Sequence, residues 1–171
     1  AYPHLIGNIS IWGTSDYKTA YIQTIIHIQK RIIRLITNTP PRTHTRPLFT
    51  CLKILNICNL YTLRVCAEMH PYIHPTKHLN RPDHNHIYNL TSQMHSHNTR
   101  HSHKHHLFVP NKSNRQDRVK TPATHTMDYT TERNTRTWNT IPTELKTIKS
   151  LKTFKTKLKD YLLEQQSQTP T

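Results

Sequence analysis

"DYKTAYIQTIIHIQKRIIRLIT", residues 16–37, is the stretch whose reading decides the fold. Ile22, Ile25, Ile26, Ile32, Ile33 and Ile36 recur at helical spacing and build one apolar stripe. Isoleucine is β-branched and a mildly poor helix former, but a period sustained over this length outweighs the local cost. Ser15 or Asp16 is placed to cap the start, and Pro40-Pro41 forces the stop. His27, Lys30, Arg31 and Arg34 fall together away from the stripe, as a basic edge suited to phosphates. The competing reading of that edge is an ordinary solvated face.

Three further helices follow from the same logic. "TRPLFTCLKIL" opens at Thr45 with Pro47 in the first turn, where a missing N–H does no harm. "NLYTLRVCAEMH" is capped by Asn59 and turns Leu60, Leu63, Ala67 and Met69 inward, with Pro71 and Pro75 disrupting its end. "SLKTFKTKLKDYLLEQ" is amphipathic: Ser150 caps it, Leu151, Phe154, Leu158, Tyr161 and Leu162 face inward, and Lys152, Lys155, Lys157 and Lys159 face out. Residues 74–136 hold no sustained period and are rich in Asn, Thr, His and Pro, so they read mostly as loop, with short strands expected near "HLFVP". The expected fold is mainly α, a small bundle with helices near 16–37, 45–55, 59–70 and 150–164. Its parts are an N-terminal helical part (1–75), an irregular basic, His-rich linker (76–136) and a C-terminal amphipathic helix region (137–171).

Apolar residues make up 33% of the 171, below the usual share of about 45–50%, so the core is expected in the apolar stretches and not throughout. Lys and Arg number 24 against nine Asp and Glu, a formal +15 that attracts polyanions, nucleic acid being the commonest. Residues encoded by codons beginning with G total only 18, so a nucleotide skew contributes to both the scarcity of carboxylates and the abundance of histidine. Cys51, Cys58 and Cys66 are too few for a disulfide scaffold. There is no secretory signal pattern and no run of about 18 apolar residues to span a bilayer, so an intracellular, reduced setting is expected and no membrane partner.

Most catalytic classes lack their parts. Two glycines, Gly7 and Gly13, leave nothing to build a phosphate-cradling loop or a nucleophile elbow. The nine carboxylates are scattered with no adjacent pair, so a two-metal centre of the polymerase or nuclease kind is not expected. Cys66 and His70 lie one helical turn apart and His74 could extend the set, yet no recognised zinc pattern is completed. "HSHNTRHSHKHH", residues 95–106, packs six histidines into twelve residues and keeps a rival reading open, that of a histidine-rich metal-binding protein. A decayed, non-functional reading frame is the third.

Read in order, "HLIGNISIWG", "IQKRIIRLIT", "RTHTRPLFTCLKILNICNLY", "HNTR", "WNTIPTELK" and "SLKTFKTKLKDYLL" resemble the C-terminal region of LINE-type (non-LTR) retrotransposon reverse transcriptases of the jockey-like sort. The similarity runs from residue 4 to residue 163 and singles out His97-Asn98-Thr99-Arg100 within the histidine tract. Two departures stand out: "TTERNTRTWN" where members carry a glycine-containing "QGPKLWN"-like run, and Ile6-Gly7 in place of a Tyr-Gly. The resemblance implies a thumb-and-tail portion following the catalytic palm of an RNA-directed DNA polymerase, with the palm, its carboxylates and its Mg²⁺ expected upstream. It also implies a non-catalytic role, gripping template–primer or element RNA, in the nucleus when target DNA is engaged.

The residues expected to touch nucleic acid are Lys30, Arg31, Arg34, Arg42, Arg46, Arg100, Lys152, Lys155 and Lys159. Arg100 beside Asn98 could fork onto a phosphate or a base edge, or serve a structural hydrogen bond. Trp12 and Trp138 are expected to anchor the core more than to stack on bases. Catalytic and metal residues are not expected in this chain.

Overall fold

The computed structural model describes residues 9–13, 19–75, 88–94, 105–109 and 122–168, the side chains of 122–130 excepted. The described residues are mainly helical: α1 (Ile9–Trp12), α2 (Ala20–Ile36), α3 (Arg46–Cys51), α4 (Ile57–Ile73), α5 (Thr91–Met94), α6 (Pro122–Thr140), α7 (Thr143–Lys146) and α8 (Leu151–Gln168). They fall into two compact units, Ala1–Arg64 with Lys155–Thr171, and Val65–Phe154.

In the first unit three of the six isoleucines of the expected α2 stripe are buried and Ile25 and Ile32 are half-buried. Ile22, Ile26 and Ile33 are buried, with Phe49, Leu55, Ile57, Tyr61, Leu158 and Leu162 in the same unit's core. One member of the stripe is polar. Gln29 is buried, its Nε2 donating to the Leu55 carbonyl (2.9 Å) and its Oε1 accepting from the Ile57 amide (3.0 Å). A helix start leaves its first N–H groups without intrahelical partners, and Gln29 supplies one for α4 from 28 residues away. Gln166 on α8 does similar work: its Oε1 accepts from the Asn56 amide (2.9 Å) and its Nε2 donates to Ile54 (3.2 Å).

Helices α2 and α3 end alike. Beyond α2, the Asn38 amide donates to Leu35 and the Thr39 amide to Arg34; beyond α3, Lys53 donates to Thr50 and Ile54 to Phe49. Both sets are Schellman pairs, which need a left-handed residue just past the helix. Asn38 (φ 49°) and Lys53 (φ 51°) take that conformation without being glycine. Gly13 answers a different need: its amide donates to Ile9, and a Cβ there would run into the Ile9 carbonyl and come within 2.8 Å of Tyr61 Cδ2.

The second unit centres on Trp138, fully buried with Val65, Cys66, Met69, Leu107, Ile141, Leu145 and Phe154 in its core. Its indole Nε1 donates to the His105 carbonyl (3.2 Å), and its ring lies 5.7 Å from that of Phe154. Asn139, next in sequence, binds Leu107 twice, accepting from its amide and donating to its carbonyl, both at 2.9 Å.

Several local expectations need correction. Most of α6, a 19-residue helix, falls in the segment expected to be irregular, 76–136. It escaped a periodicity reading because its buried positions other than Trp138 are polar, Glu132, Asn134, Thr135 and Thr137 among the described side chains, so packing and not hydropathy reveals its face. Near "HLFVP" the described residues hold an isolated antiparallel bridge, Leu90 with Leu107, and no strand. The α4 cap is Asn56, whose Oδ1 accepts from the Asn59 amide (2.9 Å), and not Asn59. Pro71 sits inside α4. Ser15 and Asp16 lie outside the described residues; α2 is preceded by Thr19, which makes no side-chain cap bond. Ile36, on the expected stripe, is 61% exposed.

Candidate nucleic-acid interface

Helix α2 carries Lys30 and Arg34 one turn apart, and the connection after it carries Arg42 before α3 begins with Arg46. The fold brings these four cations around one cleft of about 790 Å³ in the first unit. Arg34 shapes it, its Nε donating to the Thr43 carbonyl (2.9 Å) and so tying the connecting loop back to α2. The described lining residues include no Asp or Glu. Thr43, His44 and Thr45 complete the basic side.

Amide side chains also line the cleft, and those of Gln29, Gln166 and Asn59 are committed. Gln29 and Gln166 hold backbone groups as described above, and Asn59 Nδ2 donates to the Leu162 carbonyl (3.1 Å). The apolar floor, Ile26 and Phe49, is buried, Phe49 being only 5% exposed. The cleft offers positive charge, with Gln23 and Gln165 as the exposed amides of its lining.

The other expected contacts are not gathered here. Arg31 is exposed on α2 and does not line the cleft, and neither does His27; the basic edge read from the sequence splits when the helix is packed. Lys155 and Lys159 are exposed on the part of α8 in the first unit, and Lys152 is exposed in the second. Arg100, with most of the histidine tract, lies outside the described residues. Trp138 is buried, as expected for a core anchor; Trp12 is half-buried, its carbonyl accepting from the Tyr21 hydroxyl (3.1 Å). His44 was missed. Its signal was the setting, a histidine between Arg42 and Arg46, but only the turn after α2 brings it to the cleft.

In the second unit the candidate chelators are otherwise engaged. His70 Nε2 pairs with the Ile148 carbonyl and His74 Nε2 with that of Lys146, both at 2.7 Å, while the His70 ring packs 4.6 Å from Phe154. Burial pushes the Cys66 thiol up to about 12, the nearby Lys146 charge only partly opposing it, so Cys66 is a thiol and not a thiolate ligand at neutral pH. Among the described residues no group of three or more His, Cys, Asp or Glu could hold a metal ion, and no helix is long and apolar enough to cross a membrane.

Comparison with family models, with curated proteins and with solved structures finds no match to this chain.

Proposed function

We propose that the chain is a non-catalytic nucleic-acid-binding element of the kind its sequence resembles, the portion after the palm of a non-LTR retrotransposon reverse transcriptase. In that role it grips template–primer or element RNA by phosphate contacts, acting beside a separate polymerase palm and in the nucleus when target DNA is engaged. One observation carries the reading: Lys30, Arg34, Arg42 and Arg46, 16 residues apart in sequence at their extremes, surround one cleft whose described lining holds no carboxylate. Each phosphate neutralised there releases condensed counterions, and that release is the main source of sequence-independent affinity. Lys155 and Lys159 add to the long-range field that draws a polyanion in.

The test is a salt titration of fluorescence anisotropy with a labelled single-stranded RNA of mixed sequence. Four phosphate contacts predict a slope of log K against log salt of about −3, at roughly 0.7 per phosphate for single strands. A flat titration, or no binding at low salt, overturns the proposal.

A further inference from the structure

The size and lining of the cleft bear on which form of nucleic acid it takes. A duplex is a stiff rod that presents its phosphates outward and keeps its bases stacked inside, so it meets a concave site only at the rim. A single strand can bend its phosphates inward onto all the cations of a groove. At about 790 Å³ the cleft is of the size that encloses small ligands, and its cations come from both a helix and the loop folded back upon it. Lys30 and Arg34 stand on α2, and Arg42 and Arg46 line the same cleft from the chain on either side of Thr43, which the Arg34–Thr43 hydrogen bond ties to α2.

The same lining limits the reading of bases, leaving Gln23 and Gln165 as its exposed amides. The amides of Gln29, Asn59 and Gln166 are occupied by backbone groups of the protein itself. Phe49 is too buried to be a stacking platform; the exposed ring among the described lining residues is that of His44, a flat face that any base can cover. Resting on the nucleic-acid reading above, we infer that this cleft is a single-strand site: it takes a short run of unpaired RNA or DNA, phosphates on Lys30, Arg34, Arg42 and Arg46, a base against His44, with little preference among sequences.

The experiment uses the full chain and two labelled probes of equal length, a single-stranded oligonucleotide and its blunt duplex, at one moderate salt concentration. The single strand is expected to bind at least about tenfold tighter, and poly-pyrimidine and mixed-sequence strands to bind alike. The double variant Lys30→Glu/Arg42→Glu should remove most of that advantage. Lys155→Glu/Lys157→Glu, with the same change of net charge on exposed α8 positions, should weaken both probes modestly and leave their ratio unchanged. Circular dichroism confirms that the variants fold; the milder Lys30→Gln/Arg42→Gln serves if the first pair does not, with the same direction expected. Equal or tighter duplex binding, or equal effects of the two double variants, would overturn the single-strand site while leaving nucleic-acid binding intact. Displacement of the strand by inorganic triphosphate at equal phosphate concentration would also overturn it, marking a site for small polyanions. Absence of binding to either probe would remove both proposals together.

Discussion

Lys30 and Lys146 carry the same side chain into opposite circumstances. Lys30 lines an open cleft with three arginines; Lys146 is wholly buried, its Nζ donating to the Asn139 carbonyl (3.2 Å). The histidines divide in the same way: His44 stands exposed at the cleft, whereas His70 and His74 are tied to carbonyls in the second unit. Polar groups taken out of water must be paired inside the protein, and once paired they are poor partners for anything else. Residue type therefore does not separate binding groups from structural ones in a chain this basic. Burial and partner do.

The contrast can be broken first at Trp138. Trp138→Ala should cost about 3–5 kcal/mol of stability, the usual range for emptying an aromatic core position, read as a lowered urea midpoint. A change under about 1 kcal/mol would mean that the second unit is not organised around this ring.

Next comes Cys66. Its thiol titrates near 9 in an unfolded chain and at about 12 in the folded one, so the unfolded state loses its proton first as pH rises. Its contribution is fully present below pH 9 and drains away between about 9 and 12, by up to a few kcal/mol across that window. Cys66→Ala should flatten the alkaline arm of the stability profile relative to the parent. In the native chain at pH 8 a thiol reagent should modify the exposed Cys51 quickly and the buried Cys58 and Cys66 only after unfolding. Equal rates at all three would contradict the burial of Cys58 in the first unit and of Cys66 in the second.

In the first unit, Gly13→Ala forces a methyl against the Ile9 carbonyl and Tyr61, and should cost about 1–3 kcal/mol. Gln29→Leu should cost a similar amount by leaving Leu55 and Ile57 without their partner, about 1–3 kcal/mol. Oligonucleotide affinity of the folded fraction should stay close to parental in both, because neither change touches a cation of the cleft. Smallest, and opposite in sign, is Lys53→Gly, which relieves a left-handed lysine and should raise the midpoint by about 1 kcal/mol. A loss there would show that the Lys53 side chain contributes more than its backbone strain costs.

Helices α2 and α8 were legible because their buried residues are apolar and periodic. The Ile22, Ile26 and Ile33 stripe and the Phe154, Leu158 and Leu162 stripe are what the structure buries. Helix α6 was not legible, since a face of Asn134, Thr135 and Thr137 gives no hydropathy signal and becomes interior only through packing around Trp138. The candidate site was half legible. Four expected cations meet at the cleft; Arg31, one residue from Lys30, turns away because successive helical residues point about 100° apart.

Net charge, the mainly helical class and the cationic positions on α2 belong to the amino-acid order itself, since they follow from residue identity and short-range period. Which cations converge, which amides are spent on the backbone, and which lysine, histidine and thiols are sealed from water are decided by tertiary packing. The physical reason is that hydrophobic period acts between neighbours along one helix, whereas burial and hydrogen-bond commitment depend on residues as far apart as Asn59 and Leu162.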